Sequence, residues 1–560
     1  MHTSELLSLT AAIVPDRTAT IFEAQKRTYA QVQGRANRLA NALAHLGIGR
    51  GDRVAALHVN CPEHIELYFA TARLDAVYVP LNFRVKSDEL LYMLNDAGPK
   101  VVFVGPRYWE LAESVRPRAT GVRHWVALEQ LHGSSPFYEA LVAGSPDTER
   151  VPEAGDDDTT VLMYTAGTTG APKGVMLTHN SFASYILANV TPADPETEER
   201  NILTVPLYHI AGLQAVMAAV YGGRTLVIQR QFEPVEWMKL VETERAHRAM
   251  MVPTMLKQLL DHPEFARHDL SSLRVITYGA APMPVEVIKE AIRRLPHVQF
   301  INAFGQTETA STITMLPPED HRLTGSPEEI ARKLKRLSSI GKPLADVEVR
   351  IVDEEGRDVS LGQVGEIVAR GPRLMKGYWG KEQATQETIR GGWLYTGDLG
   401  YFDEDGYIYL AGRAKDVIKR GGEMVSPEEV EQALQSHPAV EEAAVIGVPD
   451  AQWGERVRAI VVVKRGQRLK EEELIEYCRQ RLASYKKPES VVFVKEVPRN
   501  PLGKVLKRVL REEYGQPIPS EATSGAGAGR DAPAQFPAGA GATDATRSRS
   551  RASMRSKKRK

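Results

Sequence analysis

YTAGTTGAPKGVMLTH, residues 164–179, has the composition of an anion-binding loop. Gly167, Gly170 and Gly174 alternate with Thr165, Thr168 and Thr169 ahead of Lys173. Glycine lets backbone N–H groups turn toward phosphate oxygens with no Cβ in the way, threonine hydroxyls add donors, and lysine supplies a point charge. The run therefore suits a loop wrapped around a polyphosphate. A Walker A loop needs its lysine directly after the last glycine and a hydroxyl residue after the lysine. Here Ala171 and Pro172 intervene and Gly174 takes the hydroxyl position, so this is not a P-loop ATPase. A Gly/Thr run alone also suits an ordinary surface turn; the β-like lead TTVLMY at 159–164 instead delivers this one from a buried strand.

The chain around the loop has 560 residues, too many for one compact core, so two or more domains are expected. Hydrophobic residues make up 42% and charged residues 25%, ordinary values for a soluble globular protein. With 71 basic and 71 acidic residues the formal charge is zero, and no global field recruits nucleic acid or acidic partners. Cys61 and Cys478 match no metal or redox spacing and read as packing or surface thiols in a reducing, cytoplasmic setting. The start, MHTSELLSLTAAIVPDRTA, lacks a basic segment followed by a clean apolar core and does not read as a signal peptide. The most apolar window, 202–221, is broken by Pro206, His209, Gly212 and Gln214, which fits a strand, a turn and a buried helix better than a membrane span.

Between 28 and 104 helical and strand patterns alternate: TYAQVQGRANRLANALAHLGI, DRVAALHV, HIELYFATARLDA, VYVPLN, KVVFVG. That alternation predicts βαβ units and largely parallel sheets. Downstream, RVITYGAAPMP at 274–284 is a strand running into small residues, and NAFGQTETA at 302–310 again ends a strand. In the latter Phe304 offers an apolar face, Thr307 a hydroxyl, and Glu308 a hard oxygen of the kind Mg²⁺ takes. YTGDLG at 395–400 places Asp398 in an expected turn, and FDEDGYIYLAG at 402–412 reads as a hairpin leading to Arg413. Arg413, Lys415 and Asp416 form a short charged connector, expected to be solvated with few packed neighbours. Ser426, Pro427 and Glu429 read as an N-cap, a proline at the first helical position and a capping-box glutamate. The segment to about 514 reads as a small α+β unit, with a strand in AVEEAAVIGVPD, another in RVRAIVVVKR and a helix in EEELIEYCRQRLA.

TAGTTGAPKG, followed in this order by P-x-x-H at 206–209, the small residues 279–281, Q-T-E at 306–308, Y-T-G-D at 395–398, G-R-x-K-D at 412–416 and P-x-x-x-x-G-K ending at Lys504, resembles the signatures of the adenylate-forming superfamily. That superfamily holds acyl-CoA synthetases, aryl-CoA ligases, peptide-synthetase adenylation domains and luciferases, and the chain looks closest to the bacterial fatty-acyl-CoA synthetases. The resemblance implies an α/β fold: a large N-terminal domain of parallel-sheet α/β subdomains over 1–412, a hinge at 413–416 and a small α+β C-terminal lid domain over 417–515. It implies ATP, Mg²⁺ and coenzyme A as cofactors or co-substrates and a small carboxylic acid as substrate.

Residue by residue, the resemblance places ATP against Thr165, Ala166, Gly167, Thr168, Thr169, Gly170 and Lys173, against Gly279, Ala280, Phe304, Gly305, Gln306 and Thr307, and against Arg413. Asp398 is to hold the ribose hydroxyls and Phe304 the adenine. Thr165 and Glu308 are the implied metal ligands. His209 is to line the acyl site as a positioner, and Lys415 is the pivot about which the lid swings. After that swing Gly421 and Gly422 shape the pantetheine tunnel. Lys504 is to reach the substrate carboxylate and α-phosphate during adenylation. The implied catalytic set is Lys504, Glu308, His209, Thr165 and Lys173. Aryl acids, or delivery of the acyl group to a carrier protein, are the alternatives.

Beyond Gly515 bulky apolar residues thin out, and the last fourteen residues carry eight positive charges from Arg547 to Lys560. This basic tail, 516–560, is expected to be disordered, either a solubilising extension or a salt-sensitive electrostatic contact with an anionic membrane surface or with nucleic acid. No specific nucleic-acid partner is expected, and a homodimer is left open.

Overall fold

The βαβ grammar read from 28–104 folds into one half of a two-sheet core. The computed structural model describes residues 1–165, 171–421, 423–499 and 505–518. Its seven-stranded sheet runs in the order Gly377–Tyr378, Lys173–Thr178, Thr159–Thr165, Val77–Pro80, Arg53–Leu57, Val101–Val104, His124–Ala127. The strands from Thr159–Thr165 to His124–Ala127 are parallel, and the first two are antiparallel additions at one edge. The middle strands are buried on both faces, as parallel strands covered by helices must be. Helix Tyr29–His45 starts where Thr28 accepts from the Gln31 amide and Gln31 answers, a capping box.

A nine-stranded sheet forms the other half, in the order Lys342–Pro343, Ser311–Leu316, Gln299–Gln306, Val275–Gly279, Arg248–Met251, Arg200–Leu203, Thr225–Ile228, Thr18–Phe22, Gln25–Thr28. Its interior is parallel and both ends are antiparallel. Helix Ile210–Tyr221 packs against strand Ser311–Leu316, beside helix His179–Asn189.

The expectation of largely parallel sheets stops short of 348. Glu348–Val352, Gly365–Arg370, Trp393–Phe402, Ile389–Arg390 and Ile408–Arg413 form a wholly antiparallel sheet. The signal for it lies in two similar turns, Asp-Glu-Glu-Gly at 353–356 and Asp-Glu-Asp-Gly at 403–406. Each aspartate accepts amides two and four residues on, and each glycine sits at positive φ, 78° and 80°. Asp398 therefore stands inside a ten-residue strand rather than in a turn. Gly397, at φ 70°, absorbs the local kink that the sequence suggested as a turn.

The C-terminal lobe has its own sheet, with Glu423–Val425, Ile418–Arg420, Gly454–Val463 and Val440–Asp450 antiparallel and Ser490–Phe493 parallel to Gly454–Val463. Its helix Pro427–Gln435 begins as expected at Ser426, whose hydroxyl accepts from the Glu429 amide at 3.2 Å. The glutamate half of the capping box is absent because Lys486 holds the Glu429 carboxylate at 2.8 and 2.9 Å. Cys61 and Cys478 are buried and free. No helix among the described residues is long and apolar enough to cross a membrane. The tail beyond Ile518 lies outside the described residues.

Candidate active site

Four strands point their C-terminal ends toward one region, the position at which open α/β sheets bind ligands. Thr165 ends Thr159–Thr165, Gly279 ends Val275–Gly279, Gln306 ends Gln299–Gln306, and the 204–209 segment carrying His209 leaves Arg200–Leu203. Ala166, Gly167, Thr168, Thr169 and Gly170 lie outside the described residues, but the hairpin that brackets them is described. Thr165 pairs with Lys173 across it, and the Thr165 hydroxyl reaches the Lys173 carbonyl at 3.5 Å.

From Lys173 a chain of contacts joins the two large sheets. The ammonium lies 4.7 Å from the centroid of the Tyr378 ring, a cation–π contact, and the Tyr378 hydroxyl donates to Glu308 Oε1 at 2.9 Å. Tyr378 belongs to the edge strand of the seven-stranded sheet, and Glu308 to the short 3₁₀ turn Thr307–Thr309 of the nine-stranded sheet. Burial, and then the Glu308 carboxylate, push the Tyr378 phenol well above its usual range, so it stays a neutral donor. The Glu308 carbonyl also receives the Met375 amide at 2.9 Å. Tyr378 was not foreseen; its signal, an aromatic in a two-residue strand, is too short to read by periodicity.

The Glu308 turn is built under backbone strain. Ala310 and Ser311 take φ of 47° and 85°, and Ala280 at the end of the neighbouring strand takes 66°. Such conformations in non-glycine residues persist only where the surroundings over-determine them. A Cβ on Gly305 would overlap the Ser311 carbonyl, and one on Gly279 would overlap the Ala303 carbonyl. Interstrand contact therefore demands a glycine at both positions. Phe304 is half-buried and packs against Ile340, Ile351, Ile367, Ile408 and Ile313 and their neighbours, where the nine-stranded and antiparallel sheets meet. Gln306 ties the same two sheets by donating to the Thr396 carbonyl at 3.2 Å.

Asp398 is buried and faces Arg413 across the antiparallel pair, with Nε–Oδ1 at 2.6 Å. The connector at 413–416 is more tightly held than its composition suggested. Ala414 donates to the Gly397 carbonyl, Asp416 and Val417 donate to that of Arg413, and Asp416 pairs with Arg511 at 2.8 Å. The expected free connector is thus a hydrogen-bonded turn, because its charges have partners on both sides. Lys415 itself is exposed. Gly421, at φ 59°, donates to the Trp453 carbonyl at 2.8 Å, while Gly422 lies outside the described residues. Lys504 lies outside them too. Three residues on, Lys507 is held by Glu431 at 2.9 Å and Glu428 at 3.5 Å, which fastens helix Lys507–Tyr514 to helix Pro427–Gln435.

His209 sits at the N-terminus of helix Ile210–Tyr221, its ring 4.0 Å from that of Tyr208. Nε2 is buried with no hydrogen-bond partner among the described residues. Burial and then the Arg84 charge lower its pKa to about 3, so the imidazole is neutral. Beyond it the helix is buried on most sides, yet Ala215 and Ala218 keep partial exposure.

The arrangement is one of strand ends from two largely parallel sheets, an antiparallel sheet packed beside them and a short connector to a small lobe. The sequence profile of AMP-binding enzymes matches residues 7–379, and that of the AMP-binding enzyme C-terminal domain matches 429–504. The chain belongs to the AMP-binding enzymes, the adenylate-forming superfamily. It is 37% identical to the long-chain-fatty-acid–CoA ligase FadD13 of Mycobacterium tuberculosis over 88% of this chain and 94% of that one. It is likewise 37% identical to a feruloyl-CoA synthase of Amycolatopsis over 90% of this chain and 97% of the relative. Among solved structures it is similar to ATP-bound MatB from Rhodopseudomonas palustris, with a TM-score of 0.81, 32% identity, and 92% and 99% of the two chains covered.

Proposed function

We propose that the chain is an ATP-dependent, AMP-forming acyl-CoA synthetase acting on medium- or long-chain fatty acids. The observation that carries this reading is the Lys173–Tyr378–Glu308 chain, which sets the hairpin of the phosphate loop against the Glu308 turn. In the first half-reaction a substrate carboxylate oxygen attacks the α-phosphorus of ATP, forming the acyl-adenylate and releasing pyrophosphate. Lys173 and the loop 165–170 hold the β- and γ-phosphates, and Lys504 offsets charge at the reacting carboxylate and α-phosphate. Asp398 receives the ribose, with Arg413 orienting its carboxylate. In the second half-reaction the lid turns at Lys415, withdrawing Lys504 and presenting Gly421 and Gly422. The thiol of coenzyme A then attacks the acyl carbon and AMP leaves. Adenylation is required because a carboxylate has no good leaving group for a thiol to displace.

The residues present fit Mg²⁺. Among the described residues Tyr378 occupies one Glu308 oxygen and leaves Oε2 without a partner, and the Thr165 hydroxyl has only a long contact. Bound there, the ion would neutralise phosphate charge. The partly exposed alanines beyond His209 supply an apolar wall for an acyl chain.

Pyrophosphate release across a panel from acetate through palmitate to aryl acids, with and without coenzyme A, tests the reading. Release with no acid in the panel would overturn it. Preference for aryl acids selects the aryl-CoA ligase alternative, and transfer to a carrier protein but not to free coenzyme A selects the loading enzyme. The reading places the enzyme in the cytoplasm, with the basic tail as a peripheral membrane contact that brings in membrane-associated fatty acid; a homodimer is compatible with it. Removing 516–560 should weaken liposome binding at low salt, and unchanged binding and long-chain turnover would exclude the tail's role.

A further inference from the structure

Asp96 stands in the last turn of helix Ser87–Ala97, its side chain 15% exposed. A carboxylate there faces the negative end of the helix dipole, so the helix itself disfavours it and groups outside the helix must hold it. Arg53 donates to the Ala97 and Gly98 carbonyls at 2.7 and 3.1 Å, and the Trp379 indole donates to the Asp96 carbonyl at 3.0 Å. The Asp96 carboxylate accepts the Tyr164 hydroxyl on Oδ2 at 2.6 Å, while the Lys381 ammonium stands 3.7 Å from Oδ1. Burial, and then Asp96, push the Tyr164 phenol far above its usual range, so it stays a neutral donor.

Where these partners stand gives the contacts their meaning. Tyr164 and Gly174 face each other in the hairpin, one rung behind the Thr165–Lys173 rung from which the phosphate loop springs. A Cβ on Gly174 would come within 3.3 Å of the Tyr164 ring, so that ring lies against the strand opposite. The Gly174 carbonyl accepts the Trp379 amide at 2.8 Å. Asp96 thus reaches both strands that flank the loop, the entering one through Tyr164 and the leaving one through Trp379 and Gly174. The helix does not need this tie to dock, because Leu90, Met93, Leu94 and Ala97 already seat it in the apolar core. Arg53, with its guanidinium 5.2 Å from the Trp379 ring centroid, steadies the indole.

Resting on the ATP-dependent reading above, we propose that Asp96 is a positioning residue for the phosphate loop: by fixing the Tyr164–Gly174 rung it sets the spacing and angle at which Thr165 and Lys173 meet the β- and γ-phosphates. It touches neither nucleotide nor acid. Its effect is therefore confined to ligands that carry those two phosphates, and AMP, which lacks them, is bound without its help.

The test measures equilibrium binding of MgATP and of AMP to the full-length protein, with no acid present. Asp96→Ala is expected to weaken MgATP by about tenfold, the loss of one hydrogen bond to a charged group, and to leave AMP unchanged. Asp96→Asn keeps an acceptor for the Tyr164 hydroxyl and should restore MgATP binding. Tyr164→Phe should reproduce the selective loss, and the Asp96→Ala, Tyr164→Phe double variant should bind MgATP no more weakly than either single one, because both remove the same link. Should Asp96→Ala not fold, Tyr164→Phe, which deletes one hydroxyl, carries the comparison by itself. MgATP and AMP weakening together, unchanged MgATP binding in Tyr164→Phe, or losses that add in the double variant would overturn the proposal. Those results remove only the role of Asp96, whereas a parent chain that binds no MgATP removes the ligase reading and this role with it.

Discussion

At the scale of single residues the proposed mechanism depends on Glu308 keeping its charge and aim. The Tyr378 hydroxyl supplies the aim through one 2.9 Å bond and, being pushed to high pKa, supplies it as a neutral donor over the working range. Glu308→Gln is expected to lower the rate of adenylate formation by about a hundredfold or more, measured as acid-dependent pyrophosphate exchange, with the fold intact by circular dichroism. Tyr378→Phe removes a hydrogen bond to a charged group and should cost roughly tenfold in the same assay, independent of pH up to about 9. An unchanged rate in Tyr378→Phe would show that the Glu308 carboxylate is oriented by something else. Glu308 was singled out in the sequence by its place at a strand end and by its order and distance after the Gly/Thr loop, as in the resembled family. Tyr378 was not legible, since the contact that gives it meaning spans seventy positions in the chain.

Among the elements, the strand Gln299–Gln306 and the 3₁₀ turn after it carry the most constraint. Gly305 has no room for a side chain against the Ser311 carbonyl, and Ser311 is already at φ 85°. Gly305→Ala must move that backbone, and a cost of about 1–3 kcal/mol is expected, read as a lower urea midpoint, together with loss of adenylation as the Glu308 turn shifts. A variant as stable and as active as the parent would show that the turn relaxes freely. The elements themselves were largely readable: the quoted strands and helices between 28 and 104 (helix Ser87–Ala97 was not among them), the helix after His209 and the N-cap at Ser426 fall where periodicity and capping residues put them. The antiparallel sheet was not read as a sheet, because only one of its turns was recognised and its strand pairing is set by contacts distant in sequence. Its consequence is specific: Asp398 owes its position to the ladder with Arg413 rather than to a turn of its own.

For the whole molecule, buried histidines set the response to acid. Burial holds His64 and His179 at about 3 and His321 at about 4, each well below the ordinary 6.5. The unfolded chain then binds protons that the native state refuses, so stability contributed by these groups is full above about pH 6.5 and declines as pH falls toward 4. At pH 5 each imidazole withdraws about 2 kcal/mol, and the urea midpoint should fall steeply between pH 7 and 5; a flat profile would contradict the burial of these rings. The two lobes respond to a different perturbation. That a small lobe follows the connector was legible, but which side chains meet across the lobes was not, because those pairs are joined only by the lobes' packing. Lys257, on helix Pro253–Asp261 of the large lobe, lies 2.8 Å from Glu441 on strand Val440–Asp450 of the small one, with both side chains about 40% exposed (39% and 41%). An exposed pair of this kind contributes under about 1 kcal/mol to stability. In the proposed mechanism the lobes alternate between two arrangements within a few kcal/mol of each other, so a bias of 0.5–1 kcal/mol, roughly the worth of one such pair, changes their ratio about two- to fivefold. Glu441→Lys places two ammonium groups together and disfavours the arrangement seen here, leaving the nucleotide site untouched. Single-turnover adenylation and thioester formation, measured separately, should therefore change in opposite directions by that factor, and the double exchange Lys257→Glu with Glu441→Lys should restore the parent ratio. Equal change in both halves, or no rescue by the exchange, would mean that this contact does not discriminate between the two arrangements.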